Sequence, residues 1–202
     1  MHQQWNEVYK RDGRVFEKVQ EDMPRLARLF RKHGVKRVLD LGCGTGRHVV
    51  FLASRGFEVD GLDIAPEGLR LTRQWLRRRG LRATLKLGSF YRRFPYEDGR
   101  FGAVVSTQSM HHGRLGAVRR CIREMARVLS PGGFIFVTVP RARRRTGRWI
   151  APRTCLPVDG KEKGLPHYFF NRRLIRKEFR GFRIHDIWLA TAKHYCILGT
   201  LR

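Results

Sequence analysis

A short glycine-rich segment with a nearby carboxylate is the part of this chain best suited to hold a ligand. Gly42, Gly44 and Gly46 directly follow a strand-like apolar run at 38–41. Glycines let the backbone turn sharply and approach a ligand closely, and a helix after such a turn offers free N–H groups. A dinucleotide-binding turn instead has the spacing G-x-G-x-x-G and receives a pyrophosphate. The G-x-G-x-G spacing here, with Asp40 two residues before the first glycine, favours a cationic ligand.

A second carboxylate, Asp63, ends the next apolar segment at 58–63, 21 residues after Gly42. An acid at this distance is suited to accept hydrogen bonds from both hydroxyls of a ribose. Together with Asp40 it indicates an adenosine whose tail is positively charged. The glycine spacing and Asp40 therefore argue against a nicotinamide-dependent dehydrogenase.

Alternating strands and helices must position these residues. Strands are predicted at 38–41, 58–63, 83–87, 103–106 and 134–139, and helices at 48–56, 66–79 and 117–129. This alternation is typical of βαβ units, and hence of an α/β fold with a mainly parallel sheet and helices on both faces. Ligands of such sheets bind at the carboxyl ends of the strands, where the strand order reverses. The glycine turn lies at one of those ends.

Two segments flank this pattern. Apolar residues recur at helical spacing over 15–33, with Pro24 starting or bending a turn, so residues 1–34 are predicted to form an N-terminal helical segment. Residues 141–170 begin with an arginine run and then carry prolines and glycines. We expect a long loop or lid there, because structureless stretches of this length are usually functional or mobile.

The end of the chain returns to regular structure. A short helix is predicted at 172–179 and strands at 183–190 and 194–201, which could pair as an antiparallel hairpin across residues 191–193. The whole of residues 1–202 is expected to form one domain.

Several segments, taken in order, resemble the class I S-adenosylmethionine-dependent methyltransferases, especially the type 11 branch. Besides the glycine turn they are LDIAPEGL (62–69), FPYEDGRFGAVVS (94–106), SMHH (109–112) and EMARVLSPGGFIFVTVP (124–140). The resemblance is strong over residues 35–140 and weak elsewhere. Any one of these motifs would be unspecific, but the set is specific.

The resemblance implies a Rossmann-like sheet of seven strands in the order 3-2-1-4-5-7-6 with an antiparallel C-terminal hairpin. It also implies S-adenosyl-L-methionine as cofactor, S-adenosyl-L-homocysteine as product, and inline transfer of the sulfonium methyl group to a nucleophile. Because that methyl group is already activated, the protein mainly supplies alignment and exclusion of water.

The candidate cofactor-binding residues come from the glycine turn, the two acids and three further segments. They are Tyr9, Asp40, Gly42, Cys43, Gly44, Gly46, Asp63, Ile64, Ser89, Phe90 and Gln108. The family commonly has an acid after the third strand to hold the adenine amino group, where this chain has Gly88, Ser89 and Phe90. Ser89 or backbone groups could substitute, with Phe90 or Tyr91 packing on the ring. Gly102 replaces an aspartate usual in the family, which we interpret as a tolerated structural change.

Three of these residues also have an ordinary structural explanation. Gln108 could line the methionine end of the cofactor or be a plain loop amide. Tyr9 could fold over the cofactor or, with Trp5, anchor the N-terminal helix on the sheet edge. Cys43 fits the turn because it is small, and we assign it no reactivity.

Histidines are the candidate catalytic residues. His111 and His112 follow the fourth strand, and His167 lies in the expected lid, so each could act as a base if the acceptor must lose a proton. Alternatively they hydrogen-bond the backbone or pack beneath the loop. A metal site built from these three and His194 is conceivable, but no ligand spacing on one element supports it, and we expect no metal.

The methyl acceptor is expected to be a small molecule, since many small members of the type 11 branch act on metabolites. RNA, and tRNA in particular, is the second hypothesis, because LPHYFFN (165–171) and HYCILGTL (194–201) faintly resemble the tRNA wobble-uridine methyltransferases. Pairs and triplets of arginine along the chain could follow a phosphate backbone. Four aromatic residues among the arginines could stack on an unpaired base, namely Trp149, Tyr168, Phe169 and Phe170. A non-catalytic cofactor-binding partner subunit is the third hypothesis.

Composition sets outer limits. Net charge is +26, from 43 Lys+Arg against 17 Asp+Glu, which suits a polyanionic partner but equally a compositional arginine bias. The four cysteines form no C-x-x-C pair, which argues against a zinc ribbon or a disulfide framework. No apolar run is long enough to span a membrane and no signal peptide is evident, so we expect a cytoplasmic protein without a membrane partner.

Overall fold

The computed structural model describes residues 2–141, 147–191 and 194–202. The helices in these ranges are α1 (His2–Asp12), α2 (Met23–Lys32), α3 (Arg47–Ala53), α4 (Pro66–Arg78), α5 (Leu115–Val128) and α6 (Arg172–Glu178). The strands are β1 (Arg37–Leu41), β2 (Glu58–Asp63), β3 (Thr84–Leu87), β4 (Phe101–Ser106), β5 (Leu129–Pro140), β6 (Arg148–Ala151), β7 (Thr154–Leu156), β8 (His167–Tyr168), β9 (Phe182–Leu189) and β10 (His194–Leu201). None of the helices in the described ranges has the length and apolar character needed to cross a membrane.

Within the described residues, seven strands form one sheet in the order β3-β2-β1-β4-β5-β10-β9. The first five are parallel, and β10 runs antiparallel to both β5 and β9. The fold class and the strand order expected from the sequence are confirmed. The order reverses between β1 and β4, where Asp40 pairs with Val105, and this places a crevice at the carboxyl ends of both strands.

The central strands are apolar because helices cover both faces of the sheet. Along β1, Leu39 and Leu41 face the side covered by α5 and α6, whereas Val38 faces the side covered by α2, α3 and α4. The same alternation divides β4, with Val104 on the first side and Val105 on the second. Period-two burial on both faces fixes the register of these strands, and so fixes where the residues that follow them lie.

The N-terminal segment contains two helices, α1 and α2. Of the residues at helical spacing over 15–33, α2 covers only the second half. Pro24 occupies the first turn of α2, where its missing N–H costs no hydrogen bond. Gly13, with φ of +65°, ends α1 by accommodating a left-handed backbone.

Residues 141–170 differ from the loop predicted for them. The described part contains three short strands, β6, β7 and β8, that form a small antiparallel sheet. Distant backbone groups hold this unit to the main sheet, since the Tyr168 N–H donates to the His111 carbonyl over 2.9 Å and the Phe170 N–H to the Pro140 carbonyl over 3.0 Å. Sequence periodicity could not reveal strands this short. Residues 142–146 of the arginine run, and residues 192–193 of the hairpin turn, lie outside the described residues.

Arg127 on α5 ties the segment before β4 to that helix. Its guanidinium donates to the carbonyls of Phe94 and Tyr96 and to the carboxylates of Asp98 and Glu124, over 2.7–3.1 Å. Its side chain is only 16% exposed, so these donors are largely shielded from water.

We expect Arg127→Met to lower the free energy of unfolding by about 2 kcal/mol, because charge-assisted hydrogen bonds are lost and acceptors are left unpaired. Urea unfolding followed by circular dichroism measures this. Arg37→Met is the control, because the side chains of its pair with Glu58 are exposed on both sides, at 51% and 64%, and should contribute less than about 1 kcal/mol. Equal losses in the two variants would contradict the assignment.

Candidate functional site

A cleft of about 480 Å³ opens at the carboxyl ends of β1, β2 and β4. Most of the residues predicted to act together line it, namely Tyr9, Gly42, Cys43, Gly44, Asp63, Ile64, Phe90, Gln108, His111, His112 and His167. Asp40, Gly46 and Ser89 do not line it. A larger cavity of about 800 Å³ lies at the opposite ends of the strands, away from the glycine turn.

The glycine turn after β1 has no room for side chains. Gly42, Gly44 and Gly46 have φ angles of +75°, +53° and +88°, a region that residues with a Cβ rarely adopt. A Cβ on Gly42 would lie 2.5 Å from the Ser109 hydroxyl, and one on Gly44 would lie 2.8 Å from the Tyr9 hydroxyl. The turn therefore needs glycine for its conformation and for the close approach of its neighbours.

Asp63 joins the glycine turn to the end of β2. One carboxylate oxygen accepts from the Gly44 N–H and the other from the Ala65 N–H, both over 2.8 Å. Burial raises the pKa of Asp63, and these two hydrogen bonds oppose that rise. Each oxygen keeps a further lone pair, so the carboxylate can accept from two hydroxyl groups as well.

Tyr9 reaches the cleft from α1. Its ring packs against the backbone of Gly44 and Gly68 and stacks on Trp5, with ring centroids 5.7 Å apart. Burial, and then the charge of Asp63, raise the pKa of Tyr9 well above its usual value, so its hydroxyl stays protonated. The residue thus anchors α1, which is one of the two roles considered for it, and it also lines the cleft.

Asp40 lies behind the glycine turn. It is buried, and its Oδ2 atom has no hydrogen-bond partner among the described residues. Burial raises its pKa to about 7, while Arg47 acts to lower it and Asp63 to raise it. A cationic ligand in the cleft would stabilise the ionised form of this carboxyl.

Arg47, which the sequence analysis did not single out, spans the cleft wall. It begins α3, and its guanidinium donates to the Gln108 side-chain oxygen over 3.2 Å and to the Thr107 hydroxyl over 3.4 Å. Gln108 has a φ of +55°, and its N–H donates to the Thr138 hydroxyl over 2.8 Å. Arg47 directly follows the glycine turn, and this position could have marked it as a candidate site residue. Nothing in the sequence shows which partner its side chain contacts.

Thr72 and Ser109 are two further residues that contact the glycine turn and that the sequence did not indicate. The Thr72 hydroxyl lies 2.9 Å from the Gly68 carbonyl and 3.1 Å from the Gly44 carbonyl, and can donate its hydrogen to either. Its methyl carbon lies 2.5 Å from the position a Cβ of Gly46 would take. The Ser109 hydroxyl donates to the Leu41 carbonyl over 3.0 Å. Both residues contact the turn from distant parts of the chain, so no local sequence pattern predicts these contacts.

The segment after β3 places its three candidate residues differently. The Ser89 hydroxyl accepts from the Tyr91 N–H over 3.2 Å, which holds the local turn. Phe90 lines the cleft, whereas the Tyr91 hydroxyl donates to the Met110 carbonyl over 2.9 Å. Of the two aromatic rings considered for an adenine, Phe90 is the one facing the cleft.

The three candidate histidines meet at the other end of the cleft. Ring centroids of His111 lie 4.3 Å from His112, 5.3 Å from His167 and 6.0 Å from His194. Glu162 contacts two of them, with one oxygen 3.2 Å from His112 Nε2 and the other 2.9 Å from His167 Nε2. Burial, reinforced by the neighbouring histidines, lowers the pKa of His111 well below its usual value, so this ring is neutral at neutral pH.

Cys43 lies between the first two glycines of the turn and is buried. Burial, and then the charges of Asp63 and Asp40, raise the pKa of its thiol well above the usual value. The thiol therefore stays protonated and poorly nucleophilic.

Residues 38–133 match the family described as a methyltransferase domain. The chain is 32% identical over 108 residues to ribosomal RNA small subunit methyltransferase C of Alcanivorax borkumensis, covering 52% of this chain and 32% of that protein. It is 30% identical over 102 residues to the 2-heptyl-1-hydroxyquinolin-4(1H)-one methyltransferase of Mycobacteroides abscessus, covering 50% and 45%. The chain thus spans less than half the length of either relative.

Solved structures share the fold over nearly the whole chain. The PH0226 protein from Pyrococcus horikoshii OT3 aligns with a TM-score of 0.77 at 20% identity, covering 97% of this chain and 99% of that one. The Burkholderia thailandensis 1,6-didemethyltoxoflavin-N1-methyltransferase, solved with its substrate and S-adenosylhomocysteine, aligns with a TM-score of 0.72 at 18% identity, covering 99% and 86%.

Asp40→Asn is expected to remove a pH dependence of stability. Because the pKa of Asp40 is raised from 3.8 to about 7, the folded chain holds this proton more tightly than the unfolded chain. The resulting stabilisation is complete below pH 4 and is lost as pH rises through 7, a loss of about 4 kcal/mol at 1.36 kcal/mol per pKa unit.

Urea unfolding of both proteins from pH 4 to 8 tests this. The free energy of unfolding of the wild type should fall with pH relative to Asp40→Asn. Parallel curves for the two proteins would show that Asp40 titrates normally.

Proposed function

This chain belongs to the class I S-adenosylmethionine-dependent methyltransferases, and from that premise we propose that it transfers the cofactor's methyl group to a small molecule. The observation that carries the proposal is the glycine cradle after β1, bounded by the buried carboxylates of Asp40 and Asp63. A dinucleotide pyrophosphate would lie close to these two acidic groups, whereas the positive tail of a sulfonium cofactor would stabilise their ionised forms.

The residues of the cleft fit that cofactor. Asp63 has free lone pairs for the two ribose hydroxyls, and Phe90 offers an apolar face for the adenine ring. Gly42, Cys43 and Gly44 of the turn line the cleft, and Tyr9 packs against Gly44. Asp40, whose Oδ2 has no partner in the described part of the chain, favours the cationic end.

When bound, the cofactor supplies a methyl group already activated on sulfur. The chain's own contribution is alignment and exclusion of water. Arg47 and Gln108 hold the end of β4 against the turn, which fixes the direction from which an acceptor can approach. The histidines and Glu162 form the polar end of the cleft, where an acceptor with a dissociable proton would lie.

A roof over the cleft favours a small acceptor. The Gln4 side-chain amide on α1 donates to the carbonyls of Lys161 and Lys163 over 3.3 and 2.6 Å, and Lys161 pairs with Asp12 over 2.8 Å. These contacts join α1 to the segment that carries Glu162. A covered cleft of this size suits a compact molecule better than a nucleotide within a folded RNA.

Three of the four aromatic residues considered for stacking on RNA are unsuited to it, which corrects that expectation. Tyr168, Phe169 and Phe170 are buried in the chain's own core, and only Trp149 of the four is exposed, at 49%. They are buried because β8 and the residue pair after it pack against the main sheet.

RNA remains the second candidate because the chain has a net charge of +26 and exposed arginine pairs. Those pairs in the described residues are Arg92-Arg93, Arg119-Arg120 and Arg172-Arg173, together with Arg77-Arg78-Arg79. Residues 143–145, a further arginine triplet, lie outside the described residues. One relative of the chain is named as a ribosomal RNA methyltransferase and another as a quinolone methyltransferase.

Asp63→Ala is expected to weaken binding of S-adenosylhomocysteine at least about tenfold, because hydrogen bonds to a charged group are lost. Isothermal titration calorimetry measures the affinity. Glu58→Ala is the matched control, since Glu58 begins the same strand, is exposed and pairs with Arg37 at the far end of the sheet. Unchanged affinity in Asp63→Ala, or binding of NAD in place of S-adenosylhomocysteine, would refute the cofactor assignment.

Methyl-labelled S-adenosylmethionine, incubated with the protein and a cell extract, is expected to label the low-mass fraction. The extract is afterwards separated into RNA, protein and low-mass fractions. Nuclease-sensitive label in the RNA fraction would instead identify RNA as the acceptor and indicate that the exposed arginines contact its phosphate backbone. Binding of the cofactor without transfer to any fraction would favour a non-catalytic partner subunit.

A further inference from the structure

Three buried histidines from two distant parts of the chain converge at the polar end of the cleft. His111 and His112 follow β4, and His167 belongs to β8, which packs beside them. One ring nitrogen from each lies within 4.8 Å of the others. The sequence analysis expected no metal because these residues share no ligand spacing on one element. The tertiary structure supplies the proximity that the spacing lacks.

The environment of His167 orients one nitrogen toward a shared point. Its Nδ1 lies 2.9 Å from the Leu165 carbonyl, which can only accept, so this nitrogen carries the hydrogen. Its Nε2 lies 2.9 Å from a Glu162 oxygen. The Nε2 nitrogen of His167 and this Glu162 oxygen are therefore close enough to bind one cation together. An Nδ1–H held by a backbone carbonyl is the usual arrangement behind a metal-ligating Nε2.

His111 provides an independent observation. Its side chain is 2% exposed, it lines the cleft, and its Nδ1 atom has no hydrogen-bond partner within the described ranges. Leaving a buried nitrogen without a hydrogen-bond partner is unfavourable. Coordination of a cation would satisfy it.

We propose that His111, His112, His167 and Glu162 bind one divalent transition metal ion of the zinc type. Imidazole nitrogens with one carboxylate oxygen suit zinc, iron or nickel better than magnesium or calcium. A tetrahedral ion with bonds of 2.0–2.1 Å needs ligand atoms about 3.4 Å apart. One Glu162 oxygen lies 3.2 Å from His112 Nε2 and the other lies 2.9 Å from His167 Nε2, so either oxygen is near that separation from one histidine. The histidine nitrogens need to close by at most about 1.4 Å.

The proposed ion would link the two walls of the cleft. Glu162 and His167 come from the segment that α1 holds over the cleft, whereas His111 and His112 follow the sheet strand β4. An ion here would also select acceptors whose oxygen or sulfur atom coordinates a metal. This last statement rests on the proposed function, but the metal site itself does not.

Calorimetric titration of the full, untagged, chelator-treated chain with Zn²⁺ tests the site without cofactor or acceptor. We expect one ion per chain, with visible absorption bands when Co²⁺ replaces zinc. His167→Asn should lower the affinity at least about 100-fold, and Glu162→Gln by about 10- to 100-fold. His185→Asn is the matched control, because His185 is exposed on β9 and hydrogen-bonds Thr200, away from the cleft. It should leave the affinity unchanged.

Failure of the wild type to bind one zinc ion would overturn the proposal. So would equal affinities in wild type, His167→Asn and Glu162→Gln, since zinc would then bind elsewhere. Circular dichroism checks the fold of each variant, and Glu162→Gln decides the matter if the buried His167→Asn does not fold, because Glu162 is 30% exposed. A negative result would leave S-adenosylhomocysteine binding untouched, so the failure of this inference is distinct from failure of the proposed function.

Discussion

The absence of side chains at three glycines is the constraint on which the rest of the site depends. A different element of the fold packs against each glycine. Ser109, which follows β4, lies against Gly42. Tyr9 of α1 lies against Gly44, and Thr72 of α4 lies against Gly46. A Cβ at any of these positions would come within 2.5–2.8 Å of its neighbour. The N-terminal helix, the β2–α4 unit and the end of β4 therefore all pack against this turn. A change there would displace three walls of the cleft together.

The electrostatics of the cleft oppose those of the whole chain. The protein carries a net charge of +26, yet the glycine cradle lies between two buried carboxylates. Asp63 is compensated by two backbone N–H groups, whereas the Oδ2 atom of Asp40 lacks a partner in the described part of the chain. Burying such a group is unfavourable unless a partner arrives. A cationic ligand in the cleft, as proposed above, would stabilise the ionised form of Asp40.

The opposite end of the cleft is built from residues remote in sequence. Backbone hydrogen bonds from Tyr168 and Phe170 hold the small sheet of β6, β7 and β8 against the strand ends, and α1 holds the segment between β7 and β8 from above. This arrangement brings His167 and Glu162 to the histidines that follow β4. It also buries the aromatic side chains of β8 and its neighbours, which is why they cannot serve as a stacking surface.

By itself the sequence determined the α/β fold, the strand order of the main sheet through family resemblance, and the residues that line the cleft at the glycine turn. Those features are encoded locally, since the short apolar runs of β1 and β4, which are buried at nearly every position, and the glycine spacing are readable within a few residues. Only the tertiary structure decided that residues 15–33 contain one short helix, that the described part of 141–170 contains strands, and that Thr72 and Ser109 seat the turn. It alone also decided that Glu162 lies between two histidines. These outcomes depend on contacts between segments tens of residues apart, and side-chain periodicity carries no information about such pairings.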